Sequence, residues 1–186
     1  MAPAKKKAQD EGYEIAFIDE SAFYLLPAVV RTYAPCGLTP VLEAALSYDH
    51  LSVISALTLS GKLYFDLQKD AYTGEDVVRF LKSLRRKSGK RLLIIWDGAS
   101  IHTGQALKAY LKGGAARYYH LERLPPYAPE LNPDEGVWNQ LKRVELGKVG
   151  CANLKELAES VKAGFANLRR KPQALLGCLK QVPYIV

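Results

Sequence analysis

Short apolar runs alternate along the chain with amphipathic stretches, and the two periods separate strands from helices. "YEIAFIDES" is a buried-strand pattern that ends at Asp19. "HLSVISALTL" and "KLYFDLQ" read as two strands joined through Ser60-Gly61, a hairpin signal. "RLLIIWD" is continuously apolar up to Asp97, as expected of a strand covered on both faces. "ARYYHLERL" predicts a fifth strand. Between them, "TGEDVVRFLKSLRRK" predicts a helix with Thr73 and Asp76 as a capping pair and Val77, Leu81 and Leu84 on one face. "TGQALKAYLKGG" predicts a second helix, stopped by Gly113 and Gly114.

A third helix is expected from Asn132-Pro133, with asparagine as cap and proline in the first turn. The last starts at Asn153, turns Leu154, Leu157, Val161, Phe165 and Leu168 inward, and stops before Pro172. The order is β-β-β-α-β-α-β-α-α, which implies an α/β domain: a mixed five-stranded sheet flanked by helices. If the first and fourth strands are parallel neighbours, Asp19 and Asp97 share the edge where open α/β sheets place their sites. The segment "FYLLPAVVRTYAPCGLTPVL" is broken by proline and glycine and reads as an irregular excursion.

With 186 residues, the chain suits one domain with a sizeable core. Residues 1–12 are charged without an apolar segment behind them. They are expected to be a disordered lead rather than a signal peptide, with 13–186 forming the domain. No apolar run approaches the roughly 20 residues of a membrane span. Cys36, Cys151 and Cys178 are odd in number and widely spaced, so reduced core cysteines in a cytoplasmic protein are expected. Net charge is +7, which suits an anionic partner such as DNA. The densest basic run, with Lys82, Arg85, Arg86, Lys87, Lys90 and Arg91, is either a phosphate-binding surface or a solvated helix end.

Asp19, Asp97 and Glu135 form the candidate constellation. Each has a plainer explanation: aspartates after strands form turns, and Asn132-x-x-Glu135 has the spacing of a capping box. Together they point elsewhere. Three carboxylates at one spot repel one another, so a cation is the natural reason to gather them. Oxygen-only ligands select magnesium or manganese. Two such ions can clamp the attacking and leaving oxygens of a phosphodiester. The proline-rich approach to Glu135, with Tyr127 and Pro129, stiffens the turn that would deliver it to that edge.

"FIDES", "LLIIWDGASIH" and "LPPYAPELNPDEGVW" resemble the three acidic motifs of DDE transposases, closest to the bacterial insertion-sequence branch of the mariner-like superfamily. The resemblance runs from about Tyr13 to Val144. It implies an RNase H-like fold, with Asp19, Asp97 and Glu135 as catalytic carboxylates holding two Mg2+ or Mn2+ ions. It implies nicking at transposon ends and 3′-hydroxyl strand transfer into target DNA. It implies a homodimer assembled on DNA, at the bacterial nucleoid. Two positions depart from the pattern: Gly98 stands where many members have asparagine, and Asp134 where an apolar residue is usual. Helix-turn-helix domains of full-length members are not seen before the first motif, as in a catalytic fragment or one product of a split gene.

His102 follows the second motif and either contacts the scissile phosphate or caps local backbone. Lys142 and Arg143 lie beyond Glu135, facing DNA phosphates or solvent. Trp138 fits the core. Two rivals share the constellation or the fold: an RNase H-fold nuclease, and a non-catalytic DNA-binding or assembly module.

Overall fold

Leu92, Leu93, Ile94 and Ile95 are all buried, as a run apolar on both faces must be if it forms a strand. In the computed structural model they lie in β4 (Arg91–Trp96). The structure describes residues 2–26, 33–39, 47–126, 128–147 and 149–182. The other strands are β1 (Tyr13–Tyr24), β2 (His50–Thr58), β3 (Leu63–Gln68) and β5 (Tyr119–Arg123). Their order across one five-stranded sheet is β3-β2-β1-β4-β5. β4 runs parallel to both β1 and β5, while β2 is antiparallel to β1 and β3. The expected mixed sheet is present, with the first and fourth strands side by side. In the β2–β3 hairpin, Gly61 takes φ 79° and the Thr58 N–H donates to the Lys62 carbonyl at 2.8 Å.

The strand pattern differs from expectation at one point that matters. β1 does not stop at Asp19; it runs on to Tyr24. β2 supports it that far, with Tyr24 opposite His50, whereas parallel pairing with β4 ends at Phe17 opposite Ile95. Part of the expected irregular excursion is therefore strand; its residues 27–32 and 40–46 lie outside the described residues.

The sheet is covered on both faces. On one, Ala16, Ile18, Ile54, Ile94 and Trp96 pack against α2 (Gly74–Ser88) and α3 (Gln105–Lys112). α2 begins with the expected capping box: Thr73 and Asp76 bond reciprocally. On the other, Phe17, Val53, Leu57, Leu93 and Ile95 meet Val137, Trp138, Val161, Phe165 and Leu179. These come from α4 (Asp134–Asn139), α5 (Leu154–Arg169) and α6 (Pro172–Lys180). The Asn153 side chain caps α5 as expected, accepting from the Glu156 N–H at 3.0 Å. α6 is an addition. Pro172 stops α5 but also occupies the first turn of a new helix, where its missing N–H is not needed.

Two other expectations are corrected. Residues 1–12 are not a disordered lead throughout, because Ala2–Glu11 form a helix, α1. Ala8 is buried in the cluster containing Ile15, and the Arg91 guanidinium donates to the Glu11 carbonyl. Cys151 and Cys178 are buried free thiols, but Cys36 is exposed. Among the described residues, no helix is long and apolar enough to cross a membrane.

α4 approaches α6 closely at Gly136. A β-carbon there would stand 2.9 Å from Cys178 Sγ and 3.3 Å from its Cα. Backbone cannot rotate aside, so the helices would have to separate. Gly136→Ala, which on an exposed helix stabilises by roughly 0.5–1 kcal/mol, should here destabilise by about 1–3 kcal/mol through overpacking. Denaturant unfolding checks the sign.

Candidate active site

The parallel register of β1 and β4 pairs Phe17 with Ile95. Continued two positions, it sets Asp19 beside Asp97. There β4 ends and its chain leaves the sheet. β5 ends at Arg123 beside it. A cleft of about 750 Å3 opens at this edge, and Asp19, Asp97 and Glu135 all line it, with Arg123 and Asn132. The structure thus brings the three predicted carboxylates to one cleft.

Their environments differ. Asp19 points to the α4 face, where Trp138 Nε1 donates to Oδ2 at 2.8 Å. Burial raises its pKa to about 7. The Trp138 bond opposes that rise, and the charges of Glu20 and Glu135 add to it. Asp97 is half exposed. Its Oδ1 accepts from the Ala99 N–H at 2.9 Å and lies 2.9 Å from His102 Nδ1. Glu135 is exposed at the start of α4. It does not complete a capping box, because the Asn132 N–H donates instead to the Pro129 carbonyl at 2.9 Å. The Asn132 side chain does cap, accepting from the Asp134 N–H at 3.1 Å. Glu135 is thereby left to the cleft.

Among the described residues, no three His, Cys, Asp or Glu side chains form a group that could hold a metal ion as they stand. The three carboxylates share a cleft without closing on one point. Their donor set is nonetheless all oxygen, and burial raises the pKa of the Asp19 carboxyl, with the charges of Glu20 and Glu135 adding to the rise.

The family model described as "DDE superfamily endonuclease" matches residues 14–158. The chain belongs to the DDE superfamily endonucleases. No curated protein matches it in sequence. Among solved structures, it is similar to the Mos1 transposase paired-end complex with left transposon end. That match has TM-score 0.62 and 15% identity, covering 100% of this chain and 60% of that one. The mariner Mos1 paired-end complex with Mg matches with TM-score 0.61 and 16% identity, over 98% and 61% of the two chains. The catalytic domain of Mos1 mariner transposase matches at 0.57 and 14%, over 96% and 87%. The fold is the RNase H-like one expected from the motifs. This chain spans about 60% of the length of the transposase chains in the paired-end complexes.

For this DDE superfamily member, the basic residues predicted to meet DNA fall in three places. Lys142 is nearest the carboxylates. Its Nζ donates to Ser21 Oγ at 2.7 Å and sits 5.2 Å from the Phe23 ring centre. Burial lowers its pKa, while the charges of Glu135 and Asp19 pull it back up. Arg143 is exposed. Both belong to a π-helical segment, Gln140–Glu145, in which the Leu146 N–H reaches back to the Leu141 carbonyl. Arg85 and Arg86 lie at the far end of α2, close in sequence to the start of β4 rather than its end. Six strand positions from Arg91 to Asp97 span about 20 Å, so these two stand well away from the cleft. Arg85 is held with its guanidinium 3.4 Å from the Tyr118 ring centre.

His102 is not placed to touch a phosphate. Its ring is buried, stacked 4.4 Å from Trp96, with Nε2 3.0 Å from Glu20 Oε1. Burial disfavours its charged form, but Glu20 and Asp97 outweigh that and raise its pKa. It lies behind Asp97, bonded to Glu20 through Nε2, while Nδ1 approaches Asp97 Oδ1 without a hydrogen bond. Trp138 is core as expected, and also a partner of Asp19. Pro129 lies in the short helical turn before Asn132, consistent with a shaping role. Tyr127 lies outside the described residues. Sequence reasoning missed Glu20, Arg123 and Ser55, and it marked Asp134 only as an acid where an apolar residue is usual. Asp134 is fully buried and accepts from Ser55 Oγ at 2.7 Å, and burial holds its carboxyl well above the usual range.

Two outcomes are expected. Asp19 carries its proton in the folded state up to about pH 7 and in the unfolded state only to about 4. Its contribution to stability is therefore largest below pH 4 and declines as pH rises from 4 to 7. In chelator, Asp19→Asn should flatten part of that decline and raise the melting temperature at pH 8. A slope unchanged by the substitution would contradict the buried-acid assignment. Glu135 makes no cap bond, so Glu135→Ala should alter unfolding free energy by less than about 0.5 kcal/mol. The loss of about 1 kcal/mol typical of a cap would restore the capping role.

Proposed function

We propose that this chain is the catalytic domain of a DNA transposase, nicking transposon ends and joining the freed 3′-hydroxyl to target DNA. The observation that carries this is the convergence of Asp19, Asp97 and Glu135 on one cleft. Membership of the DDE superfamily endonucleases supports it, as does the fold shared with mariner complexes, one of them with Mg. Asp19, Asp97 and Glu135 would hold two divalent ions, and a hard cation, Mg2+ or Mn2+, fits three oxygen donors. Such ions, when bound, neutralise phosphate charge and activate water or a 3′-hydroxyl for in-line attack.

The protein's own groups set the stage. Trp138 fixes one oxygen of Asp19. The Ala99 N–H holds Asp97, and His102 packs close behind it from the opposite face of the sheet. Lys142 brings positive charge beside Asp19 and Glu135, and Arg123 brings it to the cleft wall. Both suit a phosphate at the point of cleavage. Arg143 extends that contact along the backbone, which positions DNA without reading its sequence. Arg85 and Arg86 serve a separate stretch of DNA. Assembly as a homodimer on paired ends, at the bacterial nucleoid, completes the proposal.

Nicking of supercoiled plasmid in Mn2+ tests it. The unaltered chain should convert plasmid to open circles, and chelator should abolish this. Asp19→Asn, Asp97→Asn and Glu135→Gln should show no detectable nicking while unfolding cooperatively. Full nicking by any of the three would end that residue's assignment. A duplex with a recessed-strand 3′-hydroxyl, offered to plasmid, separates the chemistries: nicking without joining would mark a nuclease.

A further inference from the structure

Ser55 and Asp134 are both fully buried, and nothing in the proposed chemistry requires either. Ser55 is the β2 residue directly opposite Asp19 in the β1–β2 ladder. Its neighbours two positions away, Val53 and Leu57, belong to the cluster on the α4 face, so its side chain projects the same way. There Ser55 Oγ donates to Asp134 Oδ1 at 2.7 Å. Asp134 opens α4 and immediately precedes Glu135. One short bond thus joins the strand pair that carries Asp19 to the helix turn that carries Glu135.

The apolar contacts of Val137 and Trp138 hold α4 on the sheet, but burial is non-directional and tolerates sliding. The Trp138–Asp19 bond ties down one point of α4, one turn beyond Glu135, and a second point is needed to fix the turn that carries Glu135. A hydrogen bond restricts both distance and angle. A buried carboxyl is also an expensive choice: Asp134 Oδ2 has no partner among the described residues, and an apolar side chain would avoid that cost. Stability alone gives no reason for the pair.

We propose that the Ser55–Asp134 hydrogen bond is a positioning device that fixes Glu135 relative to Asp19 for divalent-ion binding. It rests on the assignment of the cleft as an ion site. Neither residue touches the ion; both act through Glu135 and Asp19.

Mn2+ binding to the intact chain, followed by electron paramagnetic resonance alongside thermal unfolding, tests this. Ser55→Ala should weaken Mn2+ binding about 10-fold or more, the usual effect of losing an outer partner. Asp134→Asn keeps an acceptor oxygen for Ser55 and should bind like the unaltered chain. The double variant Ser55→Ala/Asp134→Leu replaces both partners with apolar groups, so stability should recover while binding stays weak. A purely structural pair would regain both together, and that result would overturn the proposal. Unweakened binding in Ser55→Ala would also overturn it. Asp19→Asn separates the two levels. If it loses binding while Ser55→Ala does not, only the positioning role fails. If it keeps binding, the ion site itself fails and the positioning role with it.

Discussion

Five consecutive pairs, from Tyr13 opposite Arg91 to Phe17 opposite Ile95, fix β1 against β4. Everything at the candidate site follows from that register. Both strands are buried on two faces, so each position along them is committed to one layer of helices. A slip of one residue would send Ile15 and Phe17 to the α2 side and Ile18 to the α4 side. It would also carry Asp19 away from Trp138 and from the neighbourhood of Asp97. The apolar core therefore does more than stabilise the sheet. It sets, to one residue, which acids meet at its edge.

The two aspartates are then secured from opposite sides. Asp19 turns toward α4 and meets the Trp138 indole. Glu20, next along β1, turns the other way and meets His102, which reaches Asp97. The alternation of a strand thus lets adjacent residues anchor two halves of one site. Burial raises the carboxyl pKa of Asp19 and Asp134, the two acids that face α4 and the sheet together. Asp97 and Glu135 lie on the solvent side.

Much of this was legible in the sequence because it depends on local pattern. The continuous run Leu92–Ile95, the hairpin glycine Gly61, the Thr73 cap and the stripe of α5 are all encoded within a few residues. The three acidic motifs marked the carboxylates. What was hidden depends on partners distant in sequence. β1 extends past Asp19 because β2 is there to pair with it. Glu135 has the spacing of a capping residue, but Pro129 takes the N–H it would have bound. His102 could be read as a phosphate contact or a local cap, yet Trp96 and Glu20 enclose it. Pro172 signalled an end and is also a beginning.

The cleft arises from unequal strand lengths. β1 spans 12 residues and β4 only 6, so the sheet has a step where β4 and β5 stop and β1 continues. A step made from backbone extents depends on no particular side chain. Lining residues can be exchanged over generations while the recess itself persists. Such a shape is robust to sequence drift as long as the strand lengths are kept.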